Sequence, residues 1–341
     1  LRRQTITATE GSTILAYRAA TWLMTDPSDR RPDARFPCSG LSRSEAVAPD
    51  LRRAVYTTAR SVVGVDTDGT VSWRFDLGRR EPPGTAWPAF SSDGSVLWLH
   101  VPVRDTADGR HGALYALRSA TGEVLARAEV GPYGEQPEIS TPPDPALALI
   151  ESAHDGGSGV HLARLDGNAL TVTEYDFDHG GGSSVADISP DGRTMAVVGP
   201  GPACAVRFRS FPDGALLSTV TPADLGYDED ALVGPLLGYD TGFLDASTAV
   251  VDLDGEPAGR LKDALLGCDC DTGYPCHTDG EFREHHAVDV RTGRVLGLLP
   301  RGSRHADAVH PLGDGTWVSV HTGPLGTTVR RRHDGPVPGR P

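Results

Sequence analysis

The chain has 341 residues, more than one compact core usually holds, so the expectation is two domains or one domain built by repetition. Its 41 glycines and 27 prolines argue against a helical bundle. Its formal net charge of −14 argues against a nucleic-acid partner, because binding phosphate needs a basic face. No apolar run approaches the ~18 residues of a membrane span. The cations are almost all arginine, with Lys262 the only lysine, a composition typical of a GC-rich bacterial genome of actinobacterial type. The chain begins at Leu1 rather than Met, which fits a cropped or processed chain. A removed signal peptide or membrane anchor is compatible with that start, so the compartment, cytoplasmic or exported, stays open.

In chain order, the first 43 residues carry one strand-like stretch, "QTITATEGSTILAYRAA", with no partner unit of its own. From residue 44 onward a unit recurs: two apolar hairpins whose turns are Asp-Gly, Thr-Gly or a lone Asp. Glycine favours such turns because it takes positive φ without steric cost. The units run over 44–80 (turns near Asp50 and at Asp68-Gly69), 85–131 (Asp93-Gly94, Thr121-Gly122) and 136–178 (near Asp144, then Asp166-Gly167). They continue over 183–222 (Asp191-Gly192, Asp213-Gly214), 235–300 (around Asp245, then Thr292-Gly293) and 303–341 (Asp314-Gly315, Asp334-Gly335). Outside the fifth unit, the second turn follows the first by about 19 to 28 residues. Units near 40 to 45 residues are those of propeller blades.

The fold class expected is therefore all-β: a single β-propeller of four-stranded antiparallel blades, six by this parsing. A seventh arises if Asp254-Gly255 is a hairpin turn in its own right. The fifth unit carries an insertion at 256–284 between its second and third strands. The last unit ends in "PVPGRP", a poor outer strand because proline cannot donate to the ladder. The unmatched N-terminal strand is expected to fill that slot and close the ring.

Two patterns carry a family resemblance. "DISPDGRTMAVV" (187–198), with His179 before it, resembles the first hairpin of a WD-repeat blade. "LYALRSATGEVLARA" (114–128) and "HAVDVRTGRVLGLL" (286–299) resemble repeats of pyrroloquinoline-quinone-type propellers. The resemblance implies fold and says little about chemistry. Quinone enzymes of that type carry tryptophans after the Thr-Gly turns and a vicinal cysteine pair. Here Val124-Leu125-Ala126 and Val295-Leu296-Gly297 stand at those places, and only Trp73, in "DGTVSWRF", keeps the aromatic. The closest cysteines are separated by Asp269, so a quinone cofactor is not expected.

No motif specifies a reaction. "GGSGV" (156–160) has Val160 where a nucleophile elbow needs glycine, and there is no His-Glu-x-x-His, phosphate-binding loop or EF-hand. Gly180 to Gly182 read as loop punctuation. Asp66 with Asp68, and Asp252 with Asp254, read as turn residues bonding their own backbone.

In an antiparallel meander successive turns alternate between two faces. That rule assigns His111, His154, His161, His179, His277, His285, His305 and His321, with all five cysteines, to the face of the inter-unit loops. Rigid strands presenting variable loops make such a face the expected place for function. The reading is a non-enzymatic binding or scaffold module, its ligand or protein partner on the face bearing the 256–284 insertion. The alternative is a propeller-type hydrolase or lyase with His154, His179, His305 and His321 gathered over a central channel, with or without a metal.

The insertion admits three readings. Cys268, Cys270 and Cys276 with one of His277, His285 or His286 supply the four ligands of a tetrahedral zinc, although Cys-x-Cys is tighter than the usual structural spacing. A disulfide among Cys204, Cys268, Cys270 and Cys276 needs an oxidising compartment. Free thiols in an acidic loop are the third. No other cofactor is expected.

Overall fold

In the computed structural model, Asp50, Asp93, Asp144, Asp191, Asp245 and Asp314 each accept the backbone N–H two residues further on, at 2.7 to 3.1 Å. This Asx geometry sets the first reversal of six successive units. The glycines at 69, 94, 122, 167, 192, 214, 293 and 315 all take φ between 60° and 84°, the region the turn reading requires. The structure describes residues 5–10, 12–18, 31–38, 42–78, 85–106, 109–133, 137–154, 157–175, 177, 183–199, 204–227, 232–237, 240–257, 282–299, 308–323 and 326–333. They hold no α-helix, and hence none long and apolar enough to cross a membrane.

The described residues form two compact units, one up to Gly182 and one from Ser183 onward. Among the described residues the first unit has four antiparallel sheets. Sheet one is β1 (Thr5–Glu10), β2 (Thr13–Arg18) and β3 (Ala34–Pro37). Sheet two is β4 (Ser44–Val47), β5 (Arg53–Thr57), β6 (Ser61–Asp66) and β7 (Val71–Asp76). Sheet three runs through β8 (Trp87–Phe90), β9 (Val96–Thr106), β10 (Gly109–Arg118) and β11 (Val124–Tyr133). Sheet four is β12 (Glu138–Ser140), β13 (Leu147–His154), β14 (Gly157–Asp166) and β15 (Ala169–Glu174).

The second unit has three sheets among its described residues. Sheet five is β16 (Ser184–Ile188), β17 (Thr194–Gly199), β18 (Ala205–Ser210) and β19 (Leu216–Val220). Sheet six orders β20 (Leu232–Leu237), β22 (Thr248–Pro257), β23 (Phe282–Asp289) and β24 (Val295–Leu298), with β21 (Gly242–Phe243) also on β22. Sheet seven is β25 (Ala308–Pro311), β26 (Trp317–Gly323) and β27 (Gly326–Arg332).

Period-two alternation explains how the sheets stack. In β5, Ala54 and Tyr56 join Ile14, Ala16 and Phe36 of sheet one. Val55, between them, points the other way, into a layer with Trp73, Leu97 and Leu99. A slip of one residue would turn both faces inside out, so burial on two sides fixes the register. Sheets three and four share the layer of Trp98, Leu114, Ala148 and Ile150. In the second unit, Val206, Phe208, Val251 and Leu253 fill the layer between sheets five and six. Val250, Ala287, Val309 and Trp317 fill the one between six and seven.

One contact repeats at equivalent positions. Trp73, four residues after its turn glycine, lies across the bare Gly64 of β6 and over Gly122 of the β10–β11 turn, where an added Cβ would stand 2.6 Å from the ring. Its indole N–H donates to Ser119 O at 2.8 Å. Ser218, also four residues after its turn glycine, donates its hydroxyl to Val290 O at 2.7 Å. Both acceptors stand three residues before the turn glycine of the next sheet.

Two points of the parsing are refined. Among the described residues the N-terminal strand does not stand alone: β1 pairs with β2 from Thr5↔Arg18 to Glu10↔Thr13, and β2 pairs in turn with β3. The described residues therefore form seven sheets where the parsing gave six units. The physical reason is that Ile14, Ala16 and Phe36 offer a whole apolar face to sheet two, enough for a sheet of its own. Nor is Asp254-Gly255 a turn. Both residues sit inside β22, with Asp254 opposite Arg283 and Gly255 opposite Phe282.

Candidate ligand site at the β22–β23 end of sheet six

β22 and β23 pair without a shift from Thr248↔Asp289 to Gly255↔Phe282, and residues 258–281 lie between them in sequence. Toward Gly255 the ladder turns from apolar to charged. Directly opposed pairs share a face, so Asp252 with His285 and Asp254 with Arg283 extend the face that starts at Val250 and Ala287. Leu253 with Glu284 and Val251 with His286 lie on the other.

On the first face Arg283 is the organiser. Its Nη2 donates to Asp254 Oδ2 at 2.7 Å, and its Nη1 stands 3.6 Å from Asp240 Oδ2. These three side chains are 17% to 32% exposed. Beneath them Asp252 and His285 are each only 1% exposed. Asp252 Oδ1 accepts the Asp240 backbone N–H at 2.9 Å. Burial raises the Asp252 carboxyl to about 6, helped by Asp240 and opposed by that hydrogen bond and Arg283. Burial pushes the His285 imidazole down to about 4, so it is neutral at physiological pH. Among the described residues neither ring nitrogen of His285 has a hydrogen-bond partner.

On the second face Glu284 binds the Tyr227 hydroxyl through Oε2, and His286 Nε2 lies 3.3 Å from the same oxygen. The Tyr227 and His286 rings meet edge to face, centroids 6.2 Å apart. Cys204, half-buried against this layer, accepts the Leu237 N–H at 2.8 Å, and burial raises its thiol pKa. A raised pKa keeps a thiol protonated and unreactive.

The sequence-derived candidates divide sharply. His285 and His286 enter the cluster, but as neighbours in a strand they face opposite ways, so one tetrahedral ion could draw on only one of them. Cys268, Cys270, Cys276, His277, His179 and His305 lie outside the described residues. His154 and His321 belong to β13 and β26, with their side chains outside what is described. Asp66 and Asp68 do form a turn: Thr70 N–H reaches Asp68 Oδ1 at 2.8 Å. Asp252 and Asp254 do not, and with Asp240, Arg283, Glu284 and Tyr227 they are what sequence reasoning missed. A signal existed: Asp252 falls on the inward phase of "TAVVDLDG", where Val250 is fully buried.

No family model matches the chain, and no curated protein matches it. Solved structures do. The C-terminal WD40 domain of Sif2 superposes with a TM-score of 0.50 at 10% identity, over 97% of this chain and 79% of that one. Dihydro-heme d1 dehydrogenase NirN, in complex with DHE, gives 0.50 at 11% identity, over 94% of this chain and 58% of that one. Hydrazine synthase of Kuenenia stuttgartiensis gives 0.43 at 15% identity, over 82% and 76%. At these identities the likeness concerns the fold. The fold is that of a β-propeller, resembling WD-repeat and quinoprotein-like propellers.

Proposed function

We propose that this β-propeller module is a non-catalytic binding platform whose ligand or protein partner docks at the β22–β23 end of sheet six, beside the 256–284 insertion. One observation carries the reading. Asp240, Asp254 and Arg283 form a fixed, partly exposed charged rim above two buried polar groups, Asp252 and His285. A rim whose charges already hold one another in place recognises a partner without reorganising, which is what preorganised binding requires. Strands, rather than loops, hold Asp254 and Arg283, and this adds to their precision.

The test is site-specific photo-crosslinking. Benzoylphenylalanine at position 254 is expected to trap a defined partner in the native host, whereas the same residue at position 213, in a turn of sheet five, traps none. Equal labelling from both positions, or none from 254, would overturn the reading.

A further inference from the structure

The reading of sheet six as a docking platform leaves the chemistry of the ligand open, and the inference here rests on that reading. Among the described residues three carboxylates, Asp240, Asp252 and Asp254, gather at this end of the sheet around one guanidinium, that of Arg283. Arg283 hydrogen-bonds Asp254 and pairs with Asp240, and its charge also acts on Asp252. Among the described residues Asp252 receives only backbone N–H donors, and no side-chain cation bonds it. Directly across the ladder His285 is 1% exposed, and among the described residues both its nitrogens are unpaired.

A buried imidazole with two idle hydrogen-bonding nitrogens is a cost that native structures rarely leave uncompensated. Acidic residues alone would not define a ligand, but the idle imidazole opposite a carboxylate that no side-chain cation bonds does. Among the described residues the pair has no hydrogen bond from a positively charged N–H donor. An N–H-bearing cation meets both needs at once, donating to the acceptor nitrogen of the imidazole and to the carboxylate opposite it.

We propose that Asp252 and His285, with Asp240 and Asp254 at the rim, bind a guanidinium or primary ammonium group, such as an arginine or lysine side chain of a partner peptide. The ligand's N–H groups donate to the Asp252 carboxylate and to the acceptor nitrogen of the neutral imidazole. Arg283 keeps Asp254 and Asp240 in position, and the bound charge offsets the negative charge that one guanidinium cannot balance across three carboxylates. Charge-assisted bonds of this kind are the strong ones, and they gain from desolvation.

The probes are Nα-acetyl-arginine amide, Nα-acetyl-lysine amide and the uncharged Nα-acetyl-citrulline amide, titrated into the full chain by calorimetry. One or both cationic probes are expected to bind, and citrulline, which matches arginine in shape without its charge, is expected not to. The arginine and lysine arms decide between guanidinium and ammonium. Asp252→Asn should weaken binding at least tenfold. Asp254→Asn, at the exposed rim, serves as a second variant if the first folds poorly and should weaken it several-fold. Binding of neither cation, equal binding of citrulline, or unchanged affinity in both variants would sink the proposal. If crosslinking from position 254 persists while the cations fail, the platform stands and only the ligand class falls. If both fail, the platform falls with it.

Discussion

Trp73 donates its indole N–H to Ser119 O at 2.8 Å, joining the outer strand of sheet two to a turn of sheet three. Sheets that hydrogen-bond only within themselves need side chains to hold them in stacking order. Trp73 does this with its large apolar face and its one donor, and Ser218 does it in the second unit with a hydroxyl alone. Trp73→Ala removes a side chain that is 7% exposed, and about 3–5 kcal/mol of stability should go with it. Trp73→Phe should keep much of the packing and lose about 1 kcal/mol for the hydrogen bond. Urea unfolding of the two variants separates the contributions.

Gly122 is constrained twice. Its φ is 71°, and a Cβ would stand 2.6 Å from the Trp73 ring. Gly122→Ala should therefore destabilise by more than the ~1 kcal/mol of backbone strain alone. In a Trp73→Ala background the steric share should vanish, leaving only the strain. A double-mutant cycle measures that coupling.

Ser218→Ala should cost about 1 kcal/mol, because Val290 O then loses its 2.7 Å donor. The same change at Ser247, whose hydroxyl bonds the carboxylate of the turn residue Asp245, should cost less. Thermal melts of both variants make the comparison.

Asp252 should weaken the fold at neutral pH. Its folded pKa of about 6 lies above the ordinary 3.8, so the folded state holds an extra proton between those values. The penalty is absent below about pH 4, grows as pH rises, and is complete above about 6. Asp252→Asn should raise stability by about 1–3 kcal/mol at pH 7.5 and change it little at pH 3.5, read from chemical unfolding.

His100 and His285 act with the opposite sign. Burial lowers the first to about 3, with His161 contributing, and the second to about 4, from an ordinary 6.5. The unfolded chain takes up protons the folded chain refuses, so stability falls as pH drops below 6.5. Between pH 6 and 4 one histidine offsets Asp252, and the net loss should approach one proton's worth, about 1.4 kcal/mol per pH unit. His100→Asn should flatten that slope in a pH series of unfolding curves.

The turns were legible because their chemistry is local. An Asp that bonds the amide two residues on, and a glycine that takes positive φ, need nothing beyond their own few residues. The same signal misled at Asp254-Gly255. There the dipeptide is drawn into a long strand because Arg283 and Phe282 stand opposite it in the ladder. The first sheet was equally hidden: β3 is only the four residues "ARFP", too short to announce itself before Phe36 meets Ile14 and Tyr56.

Sequence alone determined the all-β class, the repeating hairpins and the position of their turns, since each depends on periodicity two and on residues adjacent in the chain. Tertiary structure alone decided the number of sheets, the use of Trp73 and Ser218 as ties, and the gathering of Asp240, Asp252, Asp254, Arg283 and His285. Those five span 46 positions of the sequence, and only the register of β22 on β23, with the return of the chain at Asp240, brings their charges together. Burial then sets their protonation, and burial is a property of the neighbours, not of the residue.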